Sequence, residues 1–213
     1  MCHPDFVATT FDVYPGRVEL PTTRQVLSLG RVKLDAYLRE MGLPQSNPVQ
    51  VQLLTSGTHE DQGLLLDAPF ACTANAYFWF TVQDVAGGTS AYFKQLDLEG
   101  FEQTFGLPIE ADRTDLSAVF DTARISGHWW YFRRSAGQPA LINILYGCLA
   151  SALAELTHGV VYSDDGAWDF ERFPALPQEF DRWFMRPEFA LSLERKQWAE
   201  RIRDRLLEEM ISE

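Results

Sequence analysis

Ala140-Leu-Ile-Asn-Ile-Leu-Tyr-Gly-Cys-Leu-Ala-Ser-Ala-Leu-Ala-Glu-Leu156 decides the fold, because Glu155 is the only charge in it and apolar residues occupy every helical face. A helix without a polar stripe must be buried on most sides. Asn143, Ser151 and Glu155 interrupt the run, which also falls short of the roughly 20 residues that a membrane span needs. On its N-terminal side, Ser126–Arg134 reads as an aromatic strand, and Ser135-Ala-Gly-Gln-Pro139 as a turn that places Pro139 near the first helical position. On its C-terminal side, Gly159–Tyr162 reads as a short strand. Strand, crossover helix and strand in this order predict a βαβ unit with parallel pairing.

Outward from this core, Ala74–Gln83 and Ser90–Gln95 form the clearest hairpin signal. Asp84-Val-Ala-Gly-Gly88 joins them, its two glycines supplying positive φ angles. Alternation puts Ala76, Phe78, Phe80 and Val82 on one side, with Tyr77 and Trp79 on the other. In the same way Trp129 and Tyr131 oppose Trp130 and Phe132, and both pairs are expected to be buried. Val49, Val51 and Leu53 alternate with Gln50 and Gln52 as a strand with one buried face.

A first helix starts at Thr22, whose spacing to Gln25 is that of a capping box. It runs through Val26, Leu29, Val32 and Leu38 and stops at Gly42 and Pro44. Residues 1–21 form an extended N-terminal segment with one edge strand over Phe6–Val13. Leu96–Asp121 reads as short helical pieces, and Pro177–Phe184 as a short helix. A C-terminal amphipathic helix over about Glu188–Ile211 carries Trp198, Ile202, Leu206 and Met210 on its stripe. The expectation is a single α+β domain over 1–213, with a mixed, mostly antiparallel sheet packed on helices and the 140–156 helix at its centre.

The chain has 213 residues, 46% of them hydrophobic, which is ample for a core, and 18 basic against 30 acidic residues give a net charge of −12. That balance repels phosphates and anionic lipid, so no nucleic-acid or membrane partner is expected, and a basic protein is. Cys2, Cys72 and Cys148 are too few and too scattered for a disulfide framework or a metal motif, and the N-terminus lacks a secretory signal, which predicts a cytoplasmic protein.

The densest functional chemistry is Gly159-Val-Val-Tyr-Ser-Asp-Asp-Gly-Ala-Trp-Asp-Phe-Glu-Arg-Phe-Pro174. Asp164, Asp165, Trp168, Asp169 and Glu171 combine an aromatic anchor with surrounding charge, the composition of an interface hot spot, and are the candidate partner-binding residues. A second reading makes Asp164, Asp165 and Asp169 the ligands of a divalent-metal hydrolase, with His128 or His158 assisting. A third is a small-ligand binder with its pocket beside the aromatic strands. A turn held by one aspartate and Gly166 would use the same residues structurally. Neither histidine has a carboxylate at diagnostic spacing, and nucleophile-elbow, phosphate-loop and dinucleotide-loop patterns are absent, so no catalytic residue, metal or cofactor is assigned.

His128-Trp-Trp-Tyr-Phe-Arg-Arg-Ser-Ala-Gly137 and Val160-Val-Tyr-Ser-Asp-Asp-Gly-Ala-Trp-Asp169 resemble the core of small cytosolic immunity-type proteins from bacterial polymorphic-toxin and type VI secretion systems. The resemblance covers about residues 126–187 and transfers no active-site residue. It implies a non-enzymatic protein that neutralises a basic cognate toxin by covering its active site.

Overall fold

The computed structural model describes residues 8–105 and 113–211. Phe6, where the first strand was expected to begin, and Cys2, Glu110 and Asp112 lie outside them. In chain order the elements are β1 (Thr9–Tyr14), α1 (Thr23–Glu40), β2 (Val49–Thr55), β3 (Ala76–Val82), β4 (Thr89–Gln95), α2 (Leu98–Phe105), α3 (Ser117–Ser126), β5 (His128–Arg134), α4 (Ala140–Leu156), β6 (Val160–Tyr162), α5 (Pro177–Trp183) and α6 (Leu193–Ile211). The six strands make one sheet in the order β2-β3-β4-β5-β1-β6, the frame of a single-domain α+β fold.

Every ladder in the sheet is antiparallel, so the expected parallel pair is not made. The crossover itself exists: β5 and β6 both run antiparallel to β1 and therefore point the same way, with α4 between them in sequence. β1 inserts between the two, so it is an interior strand and not the edge strand expected. A helix about 10 Å across covers about two inter-strand spacings of 4.8 Å, so a crossover helix leaves room for one strand beneath it.

All of α4 from Ala140 to Ala154 is buried. It lies on the inner sheet face formed by Phe11, Val13, Phe78, Phe80, Trp130 and Phe132, with α1, α5 and α6 covering its remaining sides. Small residues set the distances of approach. A Cβ on Gly147 would stand 2.1 Å from a ring carbon of Phe184, and one on Gly30 2.6 Å from Leu149 Cδ2. Gly30 belongs to the true buried stripe of α1, Thr23, Val26, Gly30, Leu34 and Leu38, whereas Val32 is exposed. The stripe is therefore rotated from the one expected, because α1 packs through its small residue. The Thr22–Gln25 capping box forms as expected.

Pro139 is the N-cap of α4 rather than its first residue, and its side chain caps nothing. The Glu209 carboxylate of α6 accepts from the backbone N–H groups of Ala140 and Leu141 at 2.8 and 3.1 Å instead. A tertiary contact thus satisfies orphan donors and places a negative charge at the positive end of the helix dipole. In the hairpin turn, Asp84 and Gly87 take the left-handed conformation; Gly88 does not. Its role is close packing, since a Cβ there would meet the Phe80 carbonyl oxygen at 2.5 Å.

Leu145→Ala should lower unfolding free energy by about 2–5 kcal/mol, as core truncations do, and Glu209→Ala by about 0.5–2 kcal/mol, as lost caps do; urea titration measures both.

Candidate interaction surface

The acidic segment after β6 is tied down by hydrogen bonds. The Asp165 carboxylate accepts from Thr10 N at 2.6 Å, Thr10 Oγ1 at 2.9 Å and Ser163 Oγ at 3.1 Å, which fastens the turn to β1. Gly166 has φ 81° and completes that turn. Asp169 is only 4% exposed and accepts from Leu191 N at 2.8 Å and Ser192 Oγ at 2.9 Å, setting the start of α6.

Trp168 has no exposed surface. Its ring stacks on Trp183 at 6.2 Å and contacts Phe184 and Trp198, so it is a core residue and not the expected interface anchor. Of the five candidate contact residues, Asp164 and Glu171 are exposed and Asp165 is half-buried. Asp164, Asp165 and Asp169 do not converge, since Asp165 and Asp169 are turned to donors on different elements. Among the described residues no group of three or more His, Cys, Asp or Glu is placed to hold a metal ion.

Two further reactive side chains, His128 and Cys148, are buried in the core. His128 is buried against Phe93 and Trp130, and its Nδ1–H donates to the Ser126 carbonyl at 2.9 Å. Burial pushes its pKa below the ordinary value, partly offset by that hydrogen bond, and so favours neutral imidazole. His158 stands exposed at the C-terminal end of α4 with φ 52°. The Cys148 thiol is buried within α4 and burial drives its pKa upward, away from a nucleophilic thiolate. A cavity of about 530 Å³ lies between the hairpin turn and α6, lined by Pro44, Val85, Pro139, Leu141 and Met210 among others. Asp84 and Glu209 are the carboxylates in its lining, and Glu209 is already engaged by α4.

Arg133 and Arg134 part company. Arg133 is exposed, while Arg134 is 9% exposed and donates to Thr9 Oγ1 at 3.1 Å and to the Asn143 side-chain oxygen. Its guanidinium lies 5.4 Å from the Trp198 ring and 5.9 Å from that of Tyr146. Around α2 and α3, Arg124 pairs with Glu102 and Asp121, and Arg113 with Asp115 and Glu179.

The opposite face of the sheet is organised differently. Ladder registers align Leu54, Tyr77, Tyr92, Tyr131, Asp12 and Tyr162 in one row across all six strands. The Tyr77 and Tyr92 rings stack at 5.4 Å, and those of Tyr92 and Tyr131 at 4.5 Å. A neighbouring row carries Gln52, Trp79, Ser90, Arg133 and Thr10. At one end α2 and α3 cover this face through a second core cluster of Tyr14, Phe101, Phe105, Leu116, Phe120, Ala123 and Val160, on which Trp129 and Tyr162 pack. Elsewhere no described helix packs on it, and Trp79, Tyr92, Tyr131 and Tyr162 remain partly exposed. Trp129 and Tyr131 are thus not buried like Trp130 and Phe132.

Asp12 sits in the tyrosine row between Tyr131 and Tyr162, and among the described residues its carboxylate has no hydrogen-bond donor and no cation within ion-pair distance. Burial raises its pKa well above the ordinary carboxylate value, and Asp164 and Asp165 raise it further. Burial likewise pushes the Tyr131 hydroxyl up to about 12. Sequence reading missed Asp12, Tyr92 and Tyr162. The alternation in each strand was visible, but the register that brings them into one row is a property of the assembled sheet.

Comparison with protein-family models, curated proteins and solved structures returns no match.

Asp12→Asn should raise the thermal midpoint at pH 7. A raised carboxylate pKa means that the folded state holds the proton more tightly. The cost of the charge is therefore absent below the unfolded value of about 3.9, grows through the interval up to the folded value, and is fully present above it. The advantage of the variant should accordingly vanish below about pH 4, which thermal melts across a pH series will read. Trp168→Ala should cost about 3–5 kcal/mol, whereas Asp164→Lys should change stability by no more than about 0.5 kcal/mol; denaturant titration separates the two.

Proposed function

We propose that the chain is a non-enzymatic binding protein of the immunity type, which neutralises a basic cognate toxin by covering its active site. The observation that carries this reading is the open tyrosine row with an unpaired carboxylate in it. Tyrosine and tryptophan supply large contact area at low entropic cost and are the residues most enriched at energetically dominant interface positions. A half-buried carboxylate without a partner favours a surface that brings positive charge.

Three further observations support it. The net charge of −12 steers a basic protein toward the chain. Among the described residues, the His128 ring and the Cys148 thiol are buried in the core. The segments around β5 and β6 that resemble immunity-type proteins contribute Tyr131 and Tyr162 to the row. Asp164 retains its place as an exposed acidic contact beside that row. Trp168 and Asp169 act behind the surface by holding it in shape.

Affinity capture from the cells that make the protein, followed by stopped-flow mixing, tests the reading. The expected outcome is a stoichiometric complex with a basic protein whose activity is lost on binding. Its association rate should fall as salt approaches 0.1 M, where the Debye length is about 10 Å. A partner that is acidic, or an association rate indifferent to salt, would remove the electrostatic basis of the proposal.

A further inference from the structure

We propose that the gap in the tyrosine row at Asp12, between Tyr131 and Tyr162, is a slot for one arginine side chain projected by a basic protein partner. This rests on the binding reading above and adds the chemistry of the contact. The rings run without interruption from Tyr77 through Tyr92 to Tyr131 and then stop at β1, where a carboxylate replaces the next ring. Tyr162 resumes the row on the far side of β1. The Tyr131 and Tyr162 backbones are thus two strand spacings apart, about 9–10 Å, a separation wide enough for a planar group above Asp12, and the Tyr162 ring packs on Phe105 at 4.7 Å.

A guanidinium fits this position better than an ammonium. It is planar, stacks on aromatic faces, and donates two parallel hydrogen bonds to one carboxylate, whereas lysine presents a compact and strongly hydrated charge. The slot has a carboxylate at its floor and a tyrosine on each side. The charged groups around it are consistent with that occupant. Asp164 is exposed and adds negative potential, while Asp165 adds potential although its oxygens are engaged by Thr10 and Ser163. The cations on the same face, Lys94 and Arg133, leave the Asp12 carboxylate unpaired, and Lys94 Nζ lies instead 5.9 Å from the Tyr131 ring centre.

An isolated protein gains nothing from a half-buried carboxylate without a partner. Its cost to the free protein and its use in the complex are two sides of one arrangement: an incoming guanidinium meets a carboxylate that is already partly desolvated and has no partner to give up.

The test uses the full chain and three synthetic peptides of equal length, carrying four arginines, four lysines or four neutral citrullines in a glycine-serine background. Calorimetric titration at low salt should rank arginine over lysine, with no binding by citrulline. Asp12→Asn should weaken the arginine peptide by at least about tenfold, the lower end of the range that close charge pairs span. Tyr131→Ala and Tyr162→Leu should weaken it in the same direction, and Glu194→Gln, on the first turn of α6 beneath the opposite sheet face, should leave it unchanged. Asp12→Asn is expected to be more stable than the parent, so lost binding in that variant cannot be lost folding. If Asp12→Asn and Glu194→Gln have equal effects, binding is diffuse and the slot is overturned while a basic partner still stands. Citrulline binding as well as arginine would overturn the slot by removing charge from the contact. If no peptide binds, the slot falls, and the captured partner alone judges the binding reading.

Discussion

Burial of α4 on every side is the constraint from which the rest of the architecture follows. A helix of seventeen residues with one charge has to find apolar cover all round, and one sheet face can supply only part of it. α1, α5 and α6 supply the remainder. Their approach is close enough that Gly30 and Gly147 occupy positions where a methyl group would collide with Leu149 or Phe184. The C-terminal helix is bound into the arrangement through Glu209, whose carboxylate completes the start of α4. The acidic turn after β6 has the same purpose, since Asp165 holds β1, Asp169 holds the start of α6, and Trp168 fills the space behind them.

Such heavy investment on one face leaves the other thinly covered. Side chains alternate across a strand, so every residue that turns toward α4 leaves its neighbour facing outward. α2 and α3 cover the outward set only near Tyr14 and Val160. Over the rest of that face tyrosines stack on one another rather than on a helix, their rings shielding apolar area, and the Tyr77 hydroxyl lies 2.7 Å from His59 Nδ1. The sheet therefore carries two different chemistries back to back: a dry core, and an aromatic surface with a carboxylate in it. The binding reading, and the arginine slot within it, grow from the second.

Electrostatics divide along the same line. Buried charge on the core side has partners: Arg134 donates to Thr9 and Asn143 and is flanked by the rings of Trp198 and Tyr146, although its Nε–H has no acceptor. Asp12 has no comparable partners. A protein selected for stability alone would not keep an unsatisfied carboxylate among tyrosines, and positions where a local rule is broken are where function is usually found.

The buried helix, the capping box at Thr22, the hairpin, the α+β class and the acidic balance were legible in the sequence, because each depends on composition or on a short-range period. The arrangement of β1 was not. It depends on a terminal strand finding a place between two others far along the chain, and with it went the sheet's all-antiparallel pairing. The candidate site was legible only in part. Carboxylates and tryptophan in one segment look the same whether they face solvent or hold a turn; only packing shows that Trp168 lies between Trp183 and Trp198 and that Asp169 is capping α6. The tyrosine row lay still further out of reach. Its members come from six separate strands, each reading as an ordinary half-buried segment, and it takes the hydrogen-bond register of five ladders to set them side by side. Local sequence determines which face of its own strand a residue takes, and only the assembled sheet decides what stands next to it.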